Sequence, residues 1–156
     1  GGYPELYADA LESNLASRES VKHAVNNGMP VIAECGGFQY LGSKLDGKTM
    51  CGVLPHESAN TGKLVRFGYV TLTANTPGLL GDANCSFKAH EFHYYDSTEN
   101  GSSFSAVKPN GRAWECAVMK ERMYAGYPHL YLRACPQAAV NFCKKCIEYK
   151  SERTSK

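Results

Sequence analysis

A short apolar run, Val31-Ile32-Ala33, ends in Glu34-Cys35 and is cut at once by Gly36-Gly37. A brief apolar run bounded by turn signals reads as a buried strand. Met29-Pro30 leads into it, and Phe38 to Leu45 has the composition of a following helix. Strand, tight glycine turn and helix in this order form the repeating unit of α/β sheets. This unit puts Cys35 where an open α/β sheet carries its chemistry, beyond the carboxyl end of a strand.

The flanking chain fits that class. Pro4 to Leu11 reads as helical, with proline in the first turn. Leu15 to Asn27 is a second helix, stopped by Asn27-Gly28. The second half is richer in strand signals: Phe67 to Thr73, His90 to Tyr95, Trp114 to Met119 and Tyr127 to Leu132, with turns at Thr76-Pro77-Gly78 and Pro109-Asn110-Gly111. Pro136 to Tyr149 reads as a closing amphipathic helix. No composition shift marks a second domain, so residues 1–150 are expected to form one unit and 151–156 a solvated tail.

The charge balance excludes some function classes. A net charge of +2 gives no electrostatic case for nucleic acid. No apolar run reaches the roughly 18 residues that a membrane span needs. Seven cysteines at irregular spacing do not suit a secreted disulfide framework. Reduced thiols in a cytoplasmic protein are the expectation, and most of them should fill the core. The first residues, Gly1-Gly2-Tyr3-Pro4, lack a methionine and read as a truncation or a processing scar.

Cys35 is the cysteine that differs. A sharp strand-to-helix turn lifts such a side chain out of the sheet. A helix N-terminus favours the thiolate, the nucleophilic form. Glycines after the nucleophile let a substrate approach and free a backbone N–H for an oxyanion. On chemistry alone, a buried cysteine in an ordinary βα loop stays an open alternative. Cys143-Lys144-Lys145-Cys146 forms a CxxC, but it falls mid-helix with no second pair, which suits neither a redox nor a zinc site.

Pro30 to Gln39 resembles the nucleophile segment of the class I glutamine amidotransferases: Cys35, Gly37 and Gln39 fall at the family's spacing. The longer string AECGGFQYLG, Ala33 to Gly42, is similar to the cobyrinic acid a,c-diamide synthase branch. Three further segments resemble that branch in its order. GGYPELYADAL at Gly1 to Leu11 resembles its glycine loop, KAHEFHYYDST at Lys88 to Thr98 its His-Glu-Phe-His-Tyr strand, and AGYPHLYL at Ala125 to Leu132 its histidine segment.

This resemblance implies a flavodoxin-like α/β domain that hydrolyses glutamine to glutamate and ammonia. Cys35 would be the nucleophile and His129 its base. Gly2 and Gly36 would supply oxyanion donors, and Gln39 would touch the glutamine or cap its own helix. Glu91 and His93 would lie near the site; as a metal pair they lack the further ligands that zinc requires. The branch has Leu where Pro128 stands, a second His where Tyr131 stands, and Gly where Ala89 stands. Many class I relatives place Glu at the Tyr131 position to complete a triad, so here something else must orient the imidazole.

The resemblance also implies βα elements and an ATP-using synthetase domain ahead of Gly1, in the same polypeptide. ATP and Mg²⁺ would bind there and amidate carboxylates of a corrinoid; no cofactor is expected in this chain. Gly42-Ser43-Lys44 and Gly62-Lys63-Leu64 both lack the spacing of a phosphate loop. Two alternatives remain open: a paralogue that amidates another tetrapyrrole such as nickel sirohydrochlorin, and a docking module that has lost its chemistry.

Overall fold

The computed structural model describes residues 1–154. A 3-10 turn, Pro4–Tyr7, runs into α1 (Ala8–Ser13) and α2 (Leu15–Asn26). Strand β1 (Val31–Glu34) leads through Cys35 into α3 (Gly36–Leu41). The β-rich half follows: β2 (Lys44–Leu45), β3 (Lys48–Thr49), β4 (Glu57–Asn60), β5 (Arg66–Ala74), β6 (Ser86–His93), β7 (Tyr95–Ser97) and β8 (Phe104–Val107). Then come β9 (Ala113–Cys116), β10 (Val118–Lys120), β11 (Met123–Gly126), β12 (His129–Leu130) and α4 (Pro136–Thr154). The α/β class read from the sequence is the one observed.

Among the described residues these strands form three sheets, ordered β1-β11-β10, β12-β6-β5-β8-β9 and β3-β2-β4-β7. β1 and β11 are parallel, with Val31 opposite Met123 and Glu34 opposite Gly126. That register brings the end of β1 level with the end of β11, and Tyr127-Pro128 then carry the chain into β12. β12 pairs antiparallel with β6, His129 opposite His90. His129 is thereby fixed between two sheets, beside the residue that follows β1.

Two apolar cores hold this arrangement. Val70, Leu72 and Ala74 alternate inward from β5 and pack with Phe87, Phe104 and Tyr124. Phe38, Leu41, Leu45, Met50 and Ala125 form the other core, under α3. Burying one such side chain contributes about 1.5–3 kcal/mol, so α3, only two turns long, is held by packing rather than by its own propensity. Asn14 caps α2 by accepting the Ser17 N–H at 3.1 Å.

Four expectations need correction. The helix after Cys35 ends at Leu41 instead of Leu45, because Gly42 turns extended and Leu45 enters the core from β2. The Trp114 to Met119 strand is split by Ala117, whose φ is +57°. In Tyr127 to Leu132 only His129–Leu130 is strand, because Pro128 has no N–H to contribute and Leu132 begins a 3-10 turn. The closing helix runs past Tyr149 to Thr154, so Ser151 to Thr154 are its exposed last turn; the rest of the expected tail, 155–156, lies outside the described residues.

Candidate active site

Cys35 occupies the turn between β1 and α3 at φ +49° and ψ −106°. A residue with a Cβ holds such a conformation at a cost of about 1–3 kcal/mol, and only where its surroundings enforce it. Here they do: Cys35 N–H donates to Gly126 O at 2.8 Å, and Gln39 N–H donates to Cys35 O at 3.0 Å. The turn leaves the thiol half-buried at the mouth of a cavity of about 440 Å³. Gln39, Asn60, His93, Tyr94 and Tyr95 also line that cavity.

The turn is packed from outside by the first residues of the chain. A Cβ at Gly36 would sit 2.7 Å from Gly2 O and 2.7 Å from Pro4 Cδ, so no other residue fits there. Gly2 lines the cavity with Cys35. The structure therefore brings Gly2 and Gly36 together at the thiol. The first N–H groups of α3 lack intrahelical partners and are free to donate.

The structure brings His129 beside Cys35, which acts on its imidazole more strongly than any other group. Its Nδ1 lies 3.5 Å from Glu34 Oε2, and Glu34 Oε1 accepts the Leu130 N–H at 2.8 Å. The bond to Cys35, then that to Glu34, push the imidazole up to about 9 against the opposing effect of burial. The group that orients the histidine is thus the residue just before the nucleophile. A charged side chain in an otherwise apolar strand needs a partner when buried, and that signal was present in Val31-Ile32-Ala33-Glu34.

The remaining candidates fall in two groups. Gln39 is buried, and its side chain hydrogen-bonds the Tyr127 hydroxyl, which also meets Ser97 Oγ at 3.0 Å. His93 walls the cavity with its ring stacked on Tyr127, centroids 3.9 Å apart. Glu91 lies behind His93, its Oε1 4.0 Å from His93 Nε2, and lines a second, smaller cavity. Burial raises Glu91 to about 7, against the lowering effect of Arg66. Tyr131 is exposed and outside the strand that carries His129.

Other thiols are placed differently. Cys51 and Cys116 are core residues, and burial pushes Cys116 up to about 12. Cys143 and Cys146 lie within α4 as free thiols. Among the described residues no group of three or more His, Cys, Asp or Glu could hold a metal ion, and no helix is long and apolar enough to cross a membrane.

Comparison with known proteins gives matches across this framework. The model of the CobB/CobQ-like glutamine amidotransferase domain matches residues 1–136. The chain is 36% identical over 153 residues to a cobyrinate a,c-diamide synthase of Methanothermobacter thermautotrophicus, covering 96% of this chain and 34% of that protein. It is 37% identical over 141 residues to the synthase of that name from Fusobacterium nucleatum, 84% of this chain and 30% of that one. For the Caldanaerobacter subterraneus protein of the same name the identity is 33%, over 96% of this chain and 35% of the relative. The chain spans about a third of the length of these curated relatives.

Proposed function

The chain belongs to the CobB/CobQ-like glutamine amidotransferase family, and from that premise we propose that it hydrolyses glutamine and delivers ammonia for amidation of corrinoid carboxylates. The observation that carries the reading is the Cys35 turn: a strained nucleophile position beside His129, which Glu34 holds in turn.

Cys35 Sγ attacks the side-chain amide carbon of glutamine. The developing oxyanion is met by backbone N–H groups of Gly36 and Gly2. His129 gives a proton to the amide nitrogen, which leaves as ammonia, and a glutamyl thioester remains on Cys35. Water, deprotonated by His129, cleaves the thioester to glutamate and restores the thiol. Glu34 stabilises the imidazolium in both steps. Gln39 and Asn60 offer polar groups to the glutamine within the cavity.

The corrinoid acceptor follows from the relatives, which are cobyrinate a,c-diamide synthases, and the amidating half belongs to a synthetase domain of the same polypeptide. Neither glycine-lysine string of this chain fits ATP. Gly42 caps the C-terminus of α3, and Gly62 sits in a surface turn between β4 and β5; neither opens a helix that could cradle phosphate.

The test is ammonia release from glutamine, for this chain and for the chain joined to an ATP-using synthetase domain from a relative. Release that disappears in Cys35→Ala, and that the added domain raises, supports the reading. Release that survives Cys35→Ala, or none in either form, overturns it.

A further inference from the structure

Cys35 and His129 belong to different sheets. Cys35 follows β1 of the β1-β11-β10 sheet, while His129 pairs with His90 on β6 of the β12-β6-β5-β8-β9 sheet. Their placement is therefore set where the two sheets meet, at the end of β11. Gly126, the last residue of β11, accepts the Cys35 N–H at 2.8 Å. Tyr127 and Pro128 are all that lies between Gly126 and His129 in the chain. Misplacing a catalytic group by about 1 Å costs on the order of 10²-fold in rate, so what fixes this junction acts on the chemistry.

Tyr127 is 3% exposed and fixed from several sides. Its ring stacks on His93 of β6, with centroids 3.9 Å apart and planes 8° apart. Phe38, in the α3 helix that follows Cys35, meets the ring edge-on at 5.3 Å. The Tyr127 hydroxyl shares a hydrogen bond of 3.0 Å with Ser97 Oγ on β7, and Ser97 Oγ shares one of 2.7 Å with Ser58 Oγ on β4. β4 and β7 belong to the third sheet. One side chain thus joins the end of β11 to both other sheets and to the helix after the nucleophile. Pro128 is stiff in φ, and its carbonyl accepts the Tyr124 hydroxyl at 2.9 Å. A shift at Tyr127 is therefore passed on to His129 instead of being absorbed.

We propose that Tyr127 is a positioning residue, whose hydroxyl bond to Ser97 sets the placement of His129 against Cys35. It touches no reacting atom of the scheme above and acts through Pro128 and His129. Its effect on turnover rests on the glutaminase reading; the placement of the histidine is measured without glutamine.

Tyr127→Phe keeps the stacked ring and removes the hydroxyl, and Ser97 Oγ retains Ser58 as a partner. Ser97→Ala breaks the same bond from β7, and decides the question alone if Tyr127→Phe does not fold. Each variant should lower kcat for ammonia release about tenfold with KM little changed. The double variant should lower it no further, because both changes remove one bond. The His129 pKa, raised to about 9 by Cys35 first and Glu34 second, should fall by about half a pH unit or more in an NMR titration of each variant. A bond that only stabilises the fold would lower the urea midpoint and leave that titration in place, and this result overturns the proposal. So does a rise in KM with kcat unchanged, which would route the hydroxyl through Gln39 to the substrate, and so do effects that multiply in the double variant. A moved titration in a protein whose parent releases no ammonia overturns the glutaminase reading and leaves the placement standing. Ammonia release by the parent with an unmoved titration in the variants overturns the placement alone.

Discussion

Glu34 Oε2 lies 3.5 Å from His129 Nδ1, while Glu34 Oε1 accepts the N–H of Leu130, the residue after that histidine. One carboxylate thus fixes both the ring and the backbone beside it. Because Glu34 directly precedes Cys35, nucleophile and orienting group share one strand end, and their relative position follows from β1 alone.

Glu34→Gln should keep the Leu130 bond through its amide oxygen and lose the charge facing Nδ1. The imidazole pKa, raised to about 9 in the intact site, should fall, measured by NMR titration of His129. It should fall further in Cys35→Ala, because the bond to Cys35 is the larger cause. Glutaminase kcat in Glu34→Gln should drop on the order of 10²-fold with KM little changed, and the alkaline limb of the pH profile should move down. Glu34→Asp should recover part of the loss. An unmoved His129 pKa would show that Glu34 only caps the backbone.

Tyr131 occupies the position where many class I enzymes carry a triad glutamate, yet it is 59% exposed. A phenol with a pKa near 10 is neutral at pH 7 and lends no charge to an imidazolium. Tyr131→Phe should therefore change glutaminase kcat by less than about threefold. A loss of several hundredfold in that assay would overturn the assignment to Glu34.

What could be read from the residues alone was the part governed by local pattern. Val31-Ile32-Ala33 before two glycines gave β1 and the turn, whereas the expected pairing of Cys35 with His129 rested on the family resemblance. The role of Glu34 stayed hidden because it depends on the parallel register of Glu34 with Gly126, a contact across the chain that spacing does not encode. Tyr127 to Leu132 was expected to be one strand; it ends at Leu130, so Tyr131 leaves the strand that carries His129. Strands β4, β8 and β11 were missed. Glu57–Asn60 shows why: it is polar nearly throughout and becomes a strand only by pairing with β2 and β7.

The strain at Cys35 makes a prediction that separates stability from activity. At φ +49° any Cβ is disfavoured and glycine is not. Cys35→Gly and Cys35→Ala should both abolish ammonia release. Glycine relieves about 1–3 kcal/mol of strain and loses about 0.5–1 kcal/mol of backbone entropy. Cys35→Gly should therefore be the more stable of the two by about 1 kcal/mol in urea unfolding. Equal midpoints would mean that the surrounding hydrogen bonds do not enforce a strained turn.

Glu91 supplies the pH dependence that stability measurements should detect. Burial raises its folded-state pKa from 4.5 to about 7, with Arg66 only partly opposing. The folded chain therefore holds this proton more tightly than the unfolded one. The stabilising effect is complete below the unfolded value, is lost as pH rises from 4.5 to about 7, and changes no further above. Its full size is bounded by roughly 3 kcal/mol. Glu91→Gln keeps the shape and removes the titration. Relative to the parent chain, it should gain stability between about pH 5 and about pH 8, measured as urea midpoints at both. A gap between the two proteins that is the same at both pH values would place the ionised carboxylate in a solvated setting and contradict its burial behind His93.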